Sequence, residues 1–146
     1  MVQGSCLCGE VLFEIDEAAI GLSVACYCEN CRKVSGGPYG VYLQVRPAGF
    51  RWLAGEEQVA HYESSPGNQR GFCRTCGAVA PSATPYGAVR VPGGALDGDP
   101  HYPPDVVLFT SGEMRWCSLE DPPQDRFVDG GPPQFWRRAI AKLNGS

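Results

Sequence analysis

Apolar and polar residues alternate along several short stretches of this chain, and only near its end do they recur at helical spacing. In residues 10–15, Val11, Phe13 and Ile15 take every second position, and in residues 39–45 Tyr39, Val41, Leu43 and Val45 do the same. A period of two puts such residues on one face of a half-buried strand. Shorter apolar runs at 22–25, 50–53, 58–62, 86–91 and 106–109 predict further strands, two of them joined through Gly55. Turn signals separate them at 16–21, at Val34-Ser35-Gly36-Gly37-Pro38, at 46–49, at 64–68 and at 92–100. Asp121-Pro122-Pro123 and Asp129-Gly130-Gly131-Pro132-Pro133 punctuate the tail. There Trp136, Ala139, Ile140 and Leu143 follow a helical period, with Pro133 suited to a first turn and Gly145 to an end. The pattern predicts a mostly β domain of short strands spanning 1–146, with a short helix over about 133–143. No repeat and no linker divides it.

Composition narrows the class. Of 146 residues 43% are hydrophobic and 19% charged, the balance of a folded domain rather than a disordered one. The 19 glycines and 13 prolines favour turns over long helices. The net charge is -4 and Lys and Arg form no run, which argues against a nucleic-acid partner and a basic membrane-surface helix. No apolar stretch approaches the ~20 residues that span a bilayer. Met1-Val2-Gln3-Gly4-Ser5-Cys6 lacks the charged and apolar regions of a secretory signal, so a cytoplasmic protein is expected. In a reducing compartment, 8 cysteines are expected to bind metal rather than form disulfides.

The cysteines sort by spacing. Cys26, Cys28 and Cys31 fall within six residues and are followed at once by Arg32 and Lys33. Cys6-Leu7-Cys8-Gly9 would aim two sulfurs the same way if extended. Cys73-Arg74-Thr75-Cys76-Gly77 has the form of a zinc-ribbon knuckle, whose glycine permits the tight turn. Clustered thiolates select zinc among divalent ions. Cys6, Cys8, Cys73 and Cys76 thus make a closed four-thiolate site. Cys26, Cys28 and Cys31 make a second site with one tetrahedral corner vacant, as catalytic zinc sites have. An ion with three thiolates carries a net charge of about -1 by addition. It is a weak Lewis acid, suited to gathering an incoming thiolate that then attacks an electrophile such as an aldehyde. Arg32 and Lys33 are the residues expected to offset that charge and attract an anionic substrate.

Other readings of these residues stand open. Cys117, His61 or His101 could close the second site, giving a non-catalytic module with two structural zincs that binds a protein partner. The three cysteines could be a redox centre, although the βαβ setting of thioredoxin-like motifs is missing. Arg32 and Lys33 could simply be solvated.

Gly4-Ser5-Cys6-Leu7-Cys8-Gly9, Cys26-Tyr27-Cys28-Glu29-Asn30-Cys31-Arg32-Lys33-Val34-Ser35-Gly36 and Arg70-Gly71-Phe72-Cys73-Arg74-Thr75-Cys76-Gly77 resemble the glutathione-dependent formaldehyde-activating enzyme family, whose zinc domain is shared with centromere protein V. The likeness continues through Gly94-Ala95-Leu96-Asp97, Arg115-Trp116 and Asp129-Gly130. It implies a compact, mostly β fold like that of a zinc-containing Rab exchange factor. It implies a structural zinc on Cys6, Cys8, Cys73 and Cys76 and a catalytic zinc on Cys26, Cys28 and Cys31. The implied activity is carbon–sulfur lyase chemistry joining formaldehyde to glutathione. Arg32, Lys33, Arg46, Arg51 and Arg70 are then candidate clamps for the glutathione carboxylates. The family usually has His where this chain has Tyr27, which takes up no proton near neutral pH.

Overall fold

A computed structural model describes residues 1–117 and 123–145. The alternating stretches form strands in three sheets. The first sheet joins β1 (Val2–Ser5), β2 (Leu12–Ile15) and β5 (Phe50–Ala54). The largest has six strands. At its centre are β3 (Ile20–Cys26) and β4 (Gly40–Val45), and β10 (Val89–Pro92) and β9 (Ser82–Ala83) extend it on one side. On the other side β11 (Val106–Leu108) runs parallel to β3, with β12 (Asp125–Arg126) at the edge. The third sheet holds β6 (Val59–Ser65), β7 (Asn68–Cys73) and β8 (Val79–Ala80). Among the described residues there are two α-helices, α1 (Glu29–Ser35) after β3 and α2 (Pro133–Leu143) near the end. The fold is mostly β, as the alternation predicts, and α2 covers the expected span. Asp121 and Pro122 of the tail punctuation lie outside the described residues.

Val11, Phe13 and Ile15 are all fully buried, so the period-two face of β2 points inward as expected. Burying a ring such as Phe13 stabilises by roughly 1.5–3 kcal/mol. The ring packs against Phe50 and Trp52 from the neighbouring strand. Its position requires Gly4 on β1, because a Cβ there would lie 2.3 Å from the Phe13 ring and 2.6 Å from the Ala95 carbonyl. In β4 the expected one-sided burial is replaced by burial on both faces. Leu43 and Val45 join the Phe13 core, while Tyr42 joins a second core with Val24, Cys26, Cys31, Leu108 and Phe135. A central strand covered on both sides has no solvent face to show in its pattern.

The two strands flanking Gly55 do not pair with each other. Gly55, in the left-handed region at φ 74°, redirects the chain from the first sheet to the third. This places the β1–β2 turn beside the β7–β8 turn. A small core of Cys6, Val11, Val59, Cys73 and Ala80 fills the space between them.

Candidate metal centres

Two groups of thiols converge, and they are the two groups that spacing separates. The Sγ atoms of Cys6, Cys8, Cys73 and Cys76 all lie within 4.8 Å of one another, as do those of Cys26, Cys28 and Cys31. Each is a set of soft ligands at metal-site separation.

The four-thiol site is made by two matching turns. In the first, the Gly9 N–H donates to the Cys6 carbonyl and the Val11 N–H to Cys6 Sγ at 3.3 Å. In the second, the Gly77 N–H donates to the Cys73 carbonyl at 2.8 Å. Cys6-Leu7-Cys8 is therefore a turn rather than the extended segment expected from its alternation. A turn leaves backbone N–H groups free to face sulfur, which an extended strand would commit to a ladder. The Ala78 backbone holds the Cys76 thiol down to about 6.

The three-thiol site is built at the end of β3. Cys26 closes that strand and Cys28 caps α1, its sulfur accepting from the Cys31 N–H at 3.3 Å. α1 is a helix that no pattern in the sequence predicts. It runs through Val34 and Ser35 before Gly36, at φ 70°, ends it. Cys26 and Cys31 are buried and Cys28 is half-buried. Without a cation the three compete for one negative charge. The Cys26 thiol hydrogen-bonds to Cys28 and holds Cys28 down to about 2, while the same contact pushes Cys26 far above the usual thiol range. A divalent cation among the sulfurs relieves this competition, and the donor set fits zinc.

A cavity of about 270 Å³ opens on these sulfurs. Val24, Leu108, Phe109 and Trp136 give it apolar walls, and Gln44, Asn68, Arg70 and Arg90 give it polar ones. Arg70, on β7, is 8% exposed and its Nη1 lies 3.7 Å from Cys31 Sγ, while its Nε donates to Ser64 Oγ. Burial disfavours its charge, but the adjacent Cys31 sulfur more than offsets this. Arg90, on β10, is 9% exposed and donates to Asn68 Oδ1 at 2.7 Å and to the Gln69 carbonyl. Burial first, and then the like charge of Arg70, make its proton easier to lose than usual. The Tyr42 hydroxyl is buried without a hydrogen-bond partner, and burial with the nearby Cys31 pushes its pKa up to about 12. Phe109 reaches the cavity with φ 55°, a conformation that non-glycine residues rarely adopt and that clusters at functional sites.

The expected cationic residues are distributed otherwise. Arg32 donates to the Tyr27 carbonyl and to Met114 Sδ, Lys33 pairs with Glu29 on the surface, and neither lines the cavity. Arg46 binds the Ala18 carbonyl and Arg51 pairs with Glu14. Of the five candidate clamps only Arg70 is at the site. Arg90 joins it unannounced by any motif, since a lone arginine in a strand has no spacing to mark it. Cys117, His61 and His101 do not join the three thiols, so among the described residues the second site keeps three protein ligands. Tyr27 is fully buried and packs with Ala25, Val107 and Tyr39 in a different core from that of its cysteine neighbours. Consecutive side chains around a strand end face opposite ways, so the Tyr27 ring does not enter the cavity.

The sequence profile described as glutathione-dependent formaldehyde-activating enzyme matches residues 1–112, a span containing all seven converging cysteines. The chain belongs to the glutathione-dependent formaldehyde-activating enzyme family. A Halomonas elongata protein that carries this family's name is 31% identical, with 98% of this chain and 96% of that protein covered. A crystal structure of a Rhodobacter sphaeroides protein superposes with a TM-score of 0.55 at 24% identity, covering 67% of this chain and 90% of that one. At this identity it supports the fold alone. Within the family match lie the seven converging cysteines and both buried arginines, while Trp136 lies beyond it. None of the described helices is long and apolar enough to cross a membrane.

Proposed function

We propose that this protein is a zinc enzyme that joins a small thiol of the glutathione type to an aldehyde such as formaldehyde. In this reading Cys6, Cys8, Cys73 and Cys76 hold a structural ion, and Cys26, Cys28 and Cys31 hold a catalytic one. The observation that carries it is the asymmetry of ligand number. Four sulfurs converge where two hairpin turns meet, and three converge on the wall of a cavity. A zinc ion at the second site would have a fourth position for an incoming thiol, whose proton it would make easier to lose and whose sulfur it would orient.

The chain's own residues would do the rest. Arg70, against Cys31, offsets the negative charge of the sulfur cluster so that it can stay buried. Val24, Leu108, Phe109 and Trp136 keep water from the reacting atoms. The reaction is a balanced addition without redox change. The thiol sulfur forms a bond to the carbonyl carbon, the C=O π pair becomes a lone pair on oxygen, and that oxygen takes up the proton given up by the thiol. Bringing two small reactants together in one orientation is the main physical gain available.

Exchange spectroscopy between formaldehyde hydrate and its glutathione adduct tests this reading. The zinc-loaded protein is expected to accelerate exchange above the spontaneous rate, and Cys28→Ser to return it to that rate. Exchange at the spontaneous rate with the fully loaded wild-type protein contradicts the proposal.

A further inference from the structure

The cavity holds two buried guanidinium groups, and only one of them is in contact with a thiol of the triad. Arg70 lies against the Cys31 sulfur. Arg90 lies 5.7 Å above the Tyr42 ring and is held by an amide oxygen and a backbone carbonyl, all uncharged. Neither arginine forms an ion pair with a carboxylate among the described residues; the four ion pairs found there involve other groups. Arginine is almost never buried unless paired, because desolvating the charge costs more than neutral partners return. Burial and the repulsion from Arg70 both work against the Arg90 charge. The protein tolerates this cost inside the cavity that also contains the thiol triad.

The surroundings of Arg90 are arranged rather than incidental. Asn68 accepts from its Nη2, which fixes the plane of the fork. Gln44, on the neighbouring strand in register with Arg90, accepts from the Tyr86 hydroxyl at 2.8 Å. Tyr86 in turn packs against Trp136 at 5.8 Å. A planar guanidinium locked by packing and hydrogen bonds is suited to bidentate capture of a carboxylate. The side-chain amides that share the cavity, Asn30, Gln44 and Asn68, match the polar groups of a peptide-like molecule.

Building on the reading that a thiol enters at Cys26, Cys28 and Cys31, we infer that Arg90 anchors a carboxylate of that same thiol. The substrate class is then an acidic thiol, one whose carboxylate lies within the cavity's reach of its sulfur. Arg90 is a specificity-determining residue, and Arg70 balances the sulfur cluster. Neutral and cationic thiols leave Arg90 uncompensated and are disfavoured.

Cobalt-loaded protein, titrated while the thiolate-to-cobalt absorption is followed, reads binding without turnover. The probes are 3-mercaptopropionate and its amide, which differ only in the carboxylate. Wild-type protein is expected to bind the acid about 10- to 100-fold more tightly than the amide, the range of a charge-assisted hydrogen-bonded pair. Arg90→Gln is expected to bring that ratio towards one, and Arg90→Lys to restore part of it. The wild-type comparison stands even where the Gln variant folds poorly. Equal affinities for acid and amide in wild-type protein overturn the inference and leave the thiol reading intact. That result would mean that Arg90 balances the bound sulfur alone. An absorption band that no thiol perturbs overturns both.

Discussion

Cys28 is lowered most by the neighbouring Cys26 thiol, and its sulfur, at the cap of α1, also accepts from the Cys31 N–H. Cys26 and Cys31 are both raised. Metal needs all three deprotonated, so loading the triad is expected to release protons near neutral pH. As pH falls, protons compete with the metal for Cys26 and Cys31 first, and affinity falls with it. Calorimetric titration in buffers of different ionisation enthalpy counts these protons, and a release of none would contradict the assigned ligands. The seven metal-site cysteines are legible in the sequence because a thiolate site is mostly local spacing. Arg90 is not legible, because its role comes from β10 lying beside β4 and facing β7 across the cavity, a relation of strands distant in sequence. Arg32 and Lys33 follow the cysteines directly, yet a helix turn carries them away from the cavity. Adjacency in sequence is not adjacency in space on a structure with 3.6 residues per turn.

The two cysteine pairs of the four-thiol site belong to different sheets. Cys6 and Cys8 come from the β1–β2 turn, and Cys73 and Cys76 from the end of β7 and the turn after it. A metal there ties together elements 65 residues apart, as Cys8 and Cys73 are. The triad instead lies within one strand end and one short helix, and its buried Cys26 and Cys31 share a core with Val106, Leu108 and Phe135. Cys73→Ser is expected to unfold the domain or cost several kcal/mol, because a structural zinc contributes folding energy directly. Cys26→Ser is expected to lose one ion and remain folded. Circular dichroism with metal analysis on both variants checks this, and equal loss of structure would contradict it. At this scale alternation marks β2 and β4, short apolar runs mark β3, β5, β6, β10 and β11, and the spacing of Trp136, Ala139, Ile140 and Leu143 marks α2. The run through Gly36-Gly37-Pro38 hid α1, whose 7 residues are too few to show a helical period. Cys28 as a sulfur N-cap is no standard helix signal either.

Across the whole molecule, the four-thiol cluster bridges the first and third sheets, and the thiol triad sits at the end of a strand of the largest sheet. Among the described residues, three sheets of three, six and three strands meet with no long helix to cover them. Fold class was legible because alternation and the density of glycine and proline act locally. Sheet order was not, since β11 joins β3 in parallel through long connections that leave no periodic trace. The C-terminal segment beyond the family match returns to the three-thiol site, where α2 packs on β3 and contributes Trp136 to the cavity wall. The central claim is that two metal sites differ in completeness, one closed by protein and one left a ligand short. Cadmium-113 magnetic resonance on the doubly loaded protein reads this directly. Two resonances are predicted, one unmoved and one shifted when glutathione is added. A single resonance, or two that both ignore the thiol, would contradict the account.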